Sequence, residues 1–139
     1  MWIAGDGSAK LAGFDFAVQC EGEIVMEEVV GHPAYRAPEV DEGLYSQAGD
    51  LWSLAVCLYE MVYDKLPFGQ EPYADEYVEH QTKQAVFFPQ GRFANVPYSM
   101  REVCHRCLFH RRDVRPSFDE LLKFPFMLGE REANDYKYD

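Results

Sequence analysis

Basic side chains are scarce in this chain of 139 residues: Lys and Arg number 13 against 24 Asp and Glu, a formal charge of -11. Nucleic acid needs clustered positive side chains to neutralise its phosphates, so that class of partner is excluded. Basic peptides or basic protein patches are the natural complement, although an ordinary acidic, solvated surface accounts for the same balance. Long apolar runs are absent as well. The longest, Leu54 to Tyr59, falls far short of the roughly 20 residues of a membrane-spanning helix. The opening Met1-Trp2-Ile3-Ala4-Gly5-Asp6 has no basic-then-apolar layout of a signal peptide, and a soluble, cytoplasmic protein is expected. Cysteines number only 4; Cys20, Cys57, Cys104 and Cys107 sit among apolar neighbours without a secretory signal, which favours free thiols over disulfides.

What is present is enough apolar mass for one packed domain, 47% hydrophobic with 15% aromatic residues. Trp2-Ile3-Ala4 and Ala9-Lys10-Leu11-Ala12 flank Gly5-Asp6-Gly7-Ser8, a turn sequence that predicts a short β-hairpin. Residues 13–49 show no sustained period and read as a long loop, a feature that is commonly functional. Asp50 to Tyr63 is apolar on nearly every side, which predicts a helix buried all round with Asp50 at its start. A polar helix is expected from about Ala74 to Gln84. Ser99-Met100-Arg101-Glu102 reads as a capping box opening a helix whose face carries Met100, Val103, Cys104, Cys107 and Leu108. Ser117-Phe118-Asp119-Glu120 reads as a second one, starting a helix through Lys123 that Pro125 ends. A frayed tail is expected from Gly129 to Asp139.

The order of the motifs is distinctive. Lys10-Leu11-Ala12-Gly13-Phe14-Asp15-Phe16-Ala17 is followed by Gly31-His32-Pro33-Ala34-Tyr35-Arg36-Ala37-Pro38-Glu39, then by Asp50-Leu51-Trp52-Ser53-Leu54-Ala55-Val56, Leu66-Pro67-Phe68, Arg115-Pro116-Ser117-Phe118 and Phe124-Pro125-Phe126. This series resembles the C-terminal lobe of eukaryotic protein kinases, from Met1 to about Met127. Tyrosine kinases commonly place a Trp before Ala-Pro-Glu; Tyr35-Arg36 there resembles the serine/threonine branch. The resemblance implies a mainly α fold, a kinase C-lobe fragment with one short N-terminal hairpin and a central buried helix. Residues 1–128 would form the partial domain and residues 129–139 a polar tail.

The resemblance also implies roles. Glu39, in the Ala37-Pro38-Glu39 motif, and Arg115 would form a buried structural ion pair. Asp50 would hydrogen-bond the catalytic-loop backbone; a plain helix-start carboxylate is the lesser competing reading. His32 stands where serine/threonine kinases carry a Thr beside the catalytic aspartate. Together with Tyr35 and Glu60 it would face a peptide substrate, Glu60 where kinases that prefer basic substrates hold a carboxylate. A plain polar residue on the helix is the competing reading of Glu60.

Phosphoryl transfer needs positioned magnesium, a phosphate-neutralising Lys and an aspartate for the substrate hydroxyl. Gly5-Asp6-Gly7-Ser8-Ala9-Lys10 matches neither glycine-rich nucleotide loop. His110-Arg111-Arg112-Asp113 imitates a catalytic His-Arg-Asp but has an extra Arg and follows Ala-Pro-Glu. By the resemblance, the chain begins directly after the catalytic-loop Asn, and no residue of it is expected to be catalytic or to ligate metal; ATP and magnesium belong to an intact family member. Gly13 stands where the family has the magnesium-binding Asp of Asp-Phe-Gly. Asp15 is displaced by about 6–7 Å along an extended chain and would reach the ion only in a rearranged loop. Between Asp15 and Tyr35 there is no Ser, Thr or Tyr, so phosphorylation cannot order this segment; Glu21, Glu23, Glu27 and Glu28 supply fixed negative charge instead. Cys104 and Cys107 have zinc-ligand spacing, but zinc wants four ligands and both lie on an apolar face, so core packing is expected.

In kinases, elements from before the catalytic loop also wrap the central helix. Leu51, Trp52, Leu54, Val56, Leu58 and Met61 would each lose about 1.5–3 kcal/mol without that cover, against a net stability of about 5–15 kcal/mol. The chain by itself is therefore expected to be poorly soluble or to need a partner supplying the other half. Two functions fit: a pseudokinase acting through protein binding, and a fragment of an active ATP-dependent serine/threonine kinase.

Overall fold

The computed structural model describes residues 2–83, 85–90 and 95–129. Strands β1 (Trp2–Ile3) and β2 (Ala9–Lys10) form an antiparallel hairpin with Ile3 opposite Ala9. Its turn closes because Gly7 takes a φ of 83°, while Asp6 accepts the Ser8 backbone N–H at 2.9 Å and the Ser8 hydroxyl at 2.7 Å. Those two donors hold the Asp6 carboxyl below its ordinary pKa.

The region expected to be one loop contains structure of its own. A 3-10 helix covers Phe14–Phe16, and β3 (Ile24–Val25) pairs antiparallel with β4 (Leu44–Tyr45). Between them a second 3-10 helix spans Pro38–Glu42, with Pro38 preset for its first turn. Two-residue strands carry no readable alternation, which is why the period-two signal missed them.

Helix α1 runs Gln47–Tyr63, three residues earlier than the sequence indicated, because Gly49 is helical here; Asp50 therefore lies in the first turn. It ends where Asp64 adopts a left-handed φ of 56° and donates its N–H to Glu60 O at 2.8 Å. Helix α2 spans Asp75–Lys83; its expected end at Gln84 lies outside the described residues, as does the tail from 130 to 139. Helix α3 spans Tyr98–Cys107 and begins one residue before Ser99, after Pro97, so the expected Ser99 capping box does not form. The second box does: Glu120 N–H donates to Ser117 Oγ at 3.2 Å and Ser117 N–H to Glu120 Oε2 at 2.7 Å, opening α4 (Phe118–Leu121). Helix α4 stops at Leu121, short of the expected Lys123, and Pro125 does not end it but starts α5 (Pro125–Leu128), as its fixed φ suits a first helical position.

The core lies between α1 and α3, the most extensive packing of the chain. From α3, Met100, Val103, Cys104, Cys107 and the following Leu108 are all buried against Ala55, Val56 and Tyr59 of α1. Trp52 stacks on Phe68 with centroids 5.2 Å apart and planes at 10°, and Tyr77 of α2 meets Phe68 edge-on at 6.2 Å. Burial raises the thiols of Cys104 to about 12 and of Cys107 to about 11, and no cluster of metal-ligating side chains exists among the described residues. No described helix is long and apolar enough to cross a membrane.

Helix α1 is not buried all round. Leu51, Trp52 and Val56 are covered, but Leu54 is 44% and Met61 63% exposed, with Cys57 and Leu58 partly covered between them. The spacing of these four puts an apolar stripe on one face. The loss of cover thus falls on two of the six side chains expected to suffer it. Truncating Met100, 1% exposed, to Ala is expected to cost about 2–5 kcal/mol, whereas Met61→Ala changes stability by less than about 0.5 kcal/mol. Midpoints of urea unfolding for the two variants check the contrast.

Candidate functional site

The segment from Gly13 to Glu39 carries the residues singled out for chemistry. Gly13 has φ 77° and ψ 51°, a left-handed conformation that side-chain-bearing residues rarely adopt. Asp15 follows it in the 3-10 helix and is exposed, with Phe14 and Phe16 on either side 66% and 64% exposed. Magnesium between nucleotide phosphates wants carboxylate oxygens in near-octahedral geometry. Gly13 offers no side-chain oxygen and no cluster of ligating groups surrounds Asp15, so the described residues do not fit the ion.

His32, Tyr35 and Glu60 are brought together. The Tyr35 hydroxyl donates to Glu60 Oε2 at 2.7 Å, and the His32 ring lies 5.7 Å from the rings of both Tyr35 and Tyr73. Ala34 N–H donates to His32 Nδ1 at 3.2 Å. That acceptor role leaves the imidazole proton on Nε2, which stands 3.4 Å from the Tyr73 hydroxyl. Tyr77 contributes from below, donating to Ala34 O at 2.8 Å, and Ser53 Oγ donates to Tyr35 O at 2.8 Å. Residues 34 and 35 are therefore fixed by side chains of α1 and α2, which no sequence pattern announced. The hydrogen bond to Glu60, then burial, pushes the Tyr35 hydroxyl up to about 12; burial takes Tyr59 to about 12 and Tyr77 higher still.

Behind this cluster, Glu39 and Arg115 meet in a bidentate ion pair of 2.6 and 2.9 Å. The Arg115 guanidinium, fully enclosed, also donates to Phe109 O at 2.7 Å, Ala48 O at 3.0 Å and His110 O at 3.1 Å, and its carbon stands 4.9 Å from the centre of the Trp52 ring. Ala37 and Pro38 are buried beside it. Asp50 is reached by solvent, yet partial desolvation against the body of the chain pushes its carboxyl above the ordinary range.

The His110–Asp113 stretch is held by ion pairs. Arg111 pairs with Asp113 at 2.6 Å, and Arg112 makes a bidentate contact with Glu23. These residues, with Asp41, Glu42 and Thr82, line a cleft of about 540 Å³. Glu23–Arg112, Gly43 and Tyr45 were not identified from sequence; their partners lie too far along the chain for any local signal.

Residues 1–127 match the protein kinase domain model. Over 132 residues, 91% of this chain, it is 32% identical to serine/threonine-protein kinase ATG1 of Debaryomyces hansenii, of which it covers 14%. It is 31% identical over 122 residues, 88% of the chain, to serine/threonine-protein kinase PEPKR2 of Arabidopsis thaliana, covering 26% of that protein. With serine/threonine-protein kinase PKZ1 of Phytophthora infestans it shares 32% identity over 127 residues, 89% of the chain and 32% of the relative. The chain thus spans a third or less of the length of these relatives.

Replacing Glu39 by Ala leaves a buried guanidinium without its counter-charge and is expected to cost about 3–5 kcal/mol. The double variant Glu39→Leu, Arg115→Met will not restore stability, since Phe109, Ala48 and His110 lose their donor; a double-mutant cycle in urea reads this. For Tyr35 the folded pKa is raised, so its contribution is complete below the ordinary value of 10 and is lost as pH rises through about 12. Stability measured across that window should fall less steeply in Tyr35→Phe than in the unaltered chain.

Proposed function

Because the chain belongs to the protein kinase family and carries part of a serine/threonine-type kinase domain, we propose that this part works without phosphoryl transfer, as a pseudokinase segment that binds another protein. The observation that carries the reading is Gly13. Intact members of the family use ATP with magnesium, and the carboxylate that would hold the ion is replaced here by a hydrogen atom on a left-handed backbone. An Asp at that φ would be strained as well as newly charged. His32 in place of the Thr beside the catalytic aspartate, its Nδ1 committed to Ala34 N–H, points the same way.

For a partner, the chain offers an acidic surface and a peptide-facing cluster of His32, Tyr35 and Glu60 between α1 and α2. A basic peptide or a basic protein patch complements a formal charge of -11. The half-open stripe of Leu54, Cys57, Leu58 and Met61 offers apolar area that a covering protein segment would remove from water. In this reading the activity of the longer relatives does not carry over to the chain, and its fold serves recognition.

The competing reading is a fragment of an active ATP-dependent serine/threonine kinase, and nucleotide binding separates the two. The expected result is no magnesium-dependent stabilisation by ATP in thermal unfolding. A nucleotide at 100 times its Kd would add about 2.7 kcal/mol, a rise readily seen; such a rise in magnesium, with phosphate transfer to protein hydroxyls, sinks the pseudokinase reading.

A further inference from the structure

We propose that residues 23–30 form a strap held closed by a built-in charge latch, Glu23 on Arg112, in place of the phosphorylation that this segment has no hydroxyl to accept. The latch closes a sequence separation of 89 residues with two bonds: Arg112 Nε donates to Glu23 Oε1 at 2.9 Å and Nη2 to Oε2 at 2.8 Å. Two parallel N–H···O bonds fix the carboxylate in orientation as well as distance, which a lysine at this position could not do. Of the three acidic residues in the strap, Glu23, Glu27 and Glu28, Glu23 is the one with an ion-pair partner among the described residues. Arg112 sits in the 3-10 helix Arg112–Val114, three residues before Arg115. The strap is thereby tied to the same loop that carries the buried ion pair.

Three further contacts hold the strap along its length. β3 pairs with β4 through Ile24 with Tyr45 and Val25 with Leu44. Met26 N–H then donates to Gly43 O at 2.9 Å. Gly43 has to be glycine for this: its φ is 75°, and a Cβ there would stand 2.5 Å from Met26 O. Finally the Tyr45 hydroxyl clamps the far end, donating to Glu28 O at 2.8 Å and accepting from Val30 N–H at 2.9 Å. A single side chain from β4 thus satisfies two backbone groups of a segment that would otherwise turn them to water.

The device has a definite sensitivity. Arg112 and Glu23 are one-third and one-half exposed as side chains, so added salt screens them, whereas the buried Glu39–Arg115 pair nearby is shielded. High ionic strength or a competing anion on Arg112 should open the strap while α1 and α3 stay folded. None of this depends on whether the chain binds nucleotide.

Amide hydrogen exchange on the full 139-residue chain tests it, with the amides of Val56 and Tyr59 in α1 as the internal reference. Exchange at Met26 and Val30 is expected to accelerate about threefold in Glu23→Arg and in Arg112→Glu, and to return toward the original rate when the two reversals are combined. Tyr45→Phe should accelerate Val30 by about tenfold, and 1 M sodium chloride should reproduce the single charge reversals in the unaltered chain. The proposal is overturned if Met26 and Val30 exchange at the random-coil rate in the unaltered chain. It is equally overturned if the single reversals leave them unchanged, or if the double reversal fails to restore protection that a single one removed.

Discussion

The guanidinium of Arg115 has five N–H groups, and all five are used inside the protein: two on Glu39, and one each on the carbonyls of Phe109, Ala48 and His110. A buried charge this well satisfied fixes where several elements can go. Glu39 comes from the 3-10 helix that ends the long N-terminal segment, Ala48 from the first turn of α1, and Phe109 and His110 from the stretch after α3. Moving any of them strands a donor or an acceptor where water cannot replace it. Trp52, against the guanidinium and stacked on Phe68, carries the constraint into the core.

This anchor holds the architecture independently of the stretch around Gly13. The Glu39–Arg115 pair, the buried Ala37 and Pro38, and the cluster of His32, Tyr35 and Glu60 depend on α1 and the C-terminal loop, not on Gly13. Residue 13 lies in a stretch with no buried side chain from Leu11 to Val18. A substitution there costs little in packing.

The N-terminal segment is ordered by other means than a phosphate. Its anchoring groups are the Arg112 guanidinium, the backbone of β4 and the Tyr45 hydroxyl, set at the same end of the molecule as the Arg115 network. Fixed acidic side chains give a permanent version of the charge that phosphorylation adds conditionally. The acidic balance of the chain, read from composition as a bias toward basic partners, therefore has an internal use as well.

Much was legible in the residues alone. The apolar run of α1, the one-face spacing of α3, the Ser117–Glu120 capping box and the Asp-Gly turn of the hairpin all follow from local periodicity and from side chains that bond their own backbone neighbours. The motif order pointed to Glu39 with Arg115 through resemblance, since no physical signal links positions 76 residues apart. Only the tertiary structure decided the rest. It began α1 at Gln47, left one face of it open at Leu54 and Met61, and set Tyr35 on Glu60, Glu23 on Arg112 and Tyr45 on the backbone of residues 28 and 30. These contacts join segments with no shared period, and their energy is realised only once the core has brought both partners together. A chain can declare its helices by pattern, but a pairing across it is declared by neither partner.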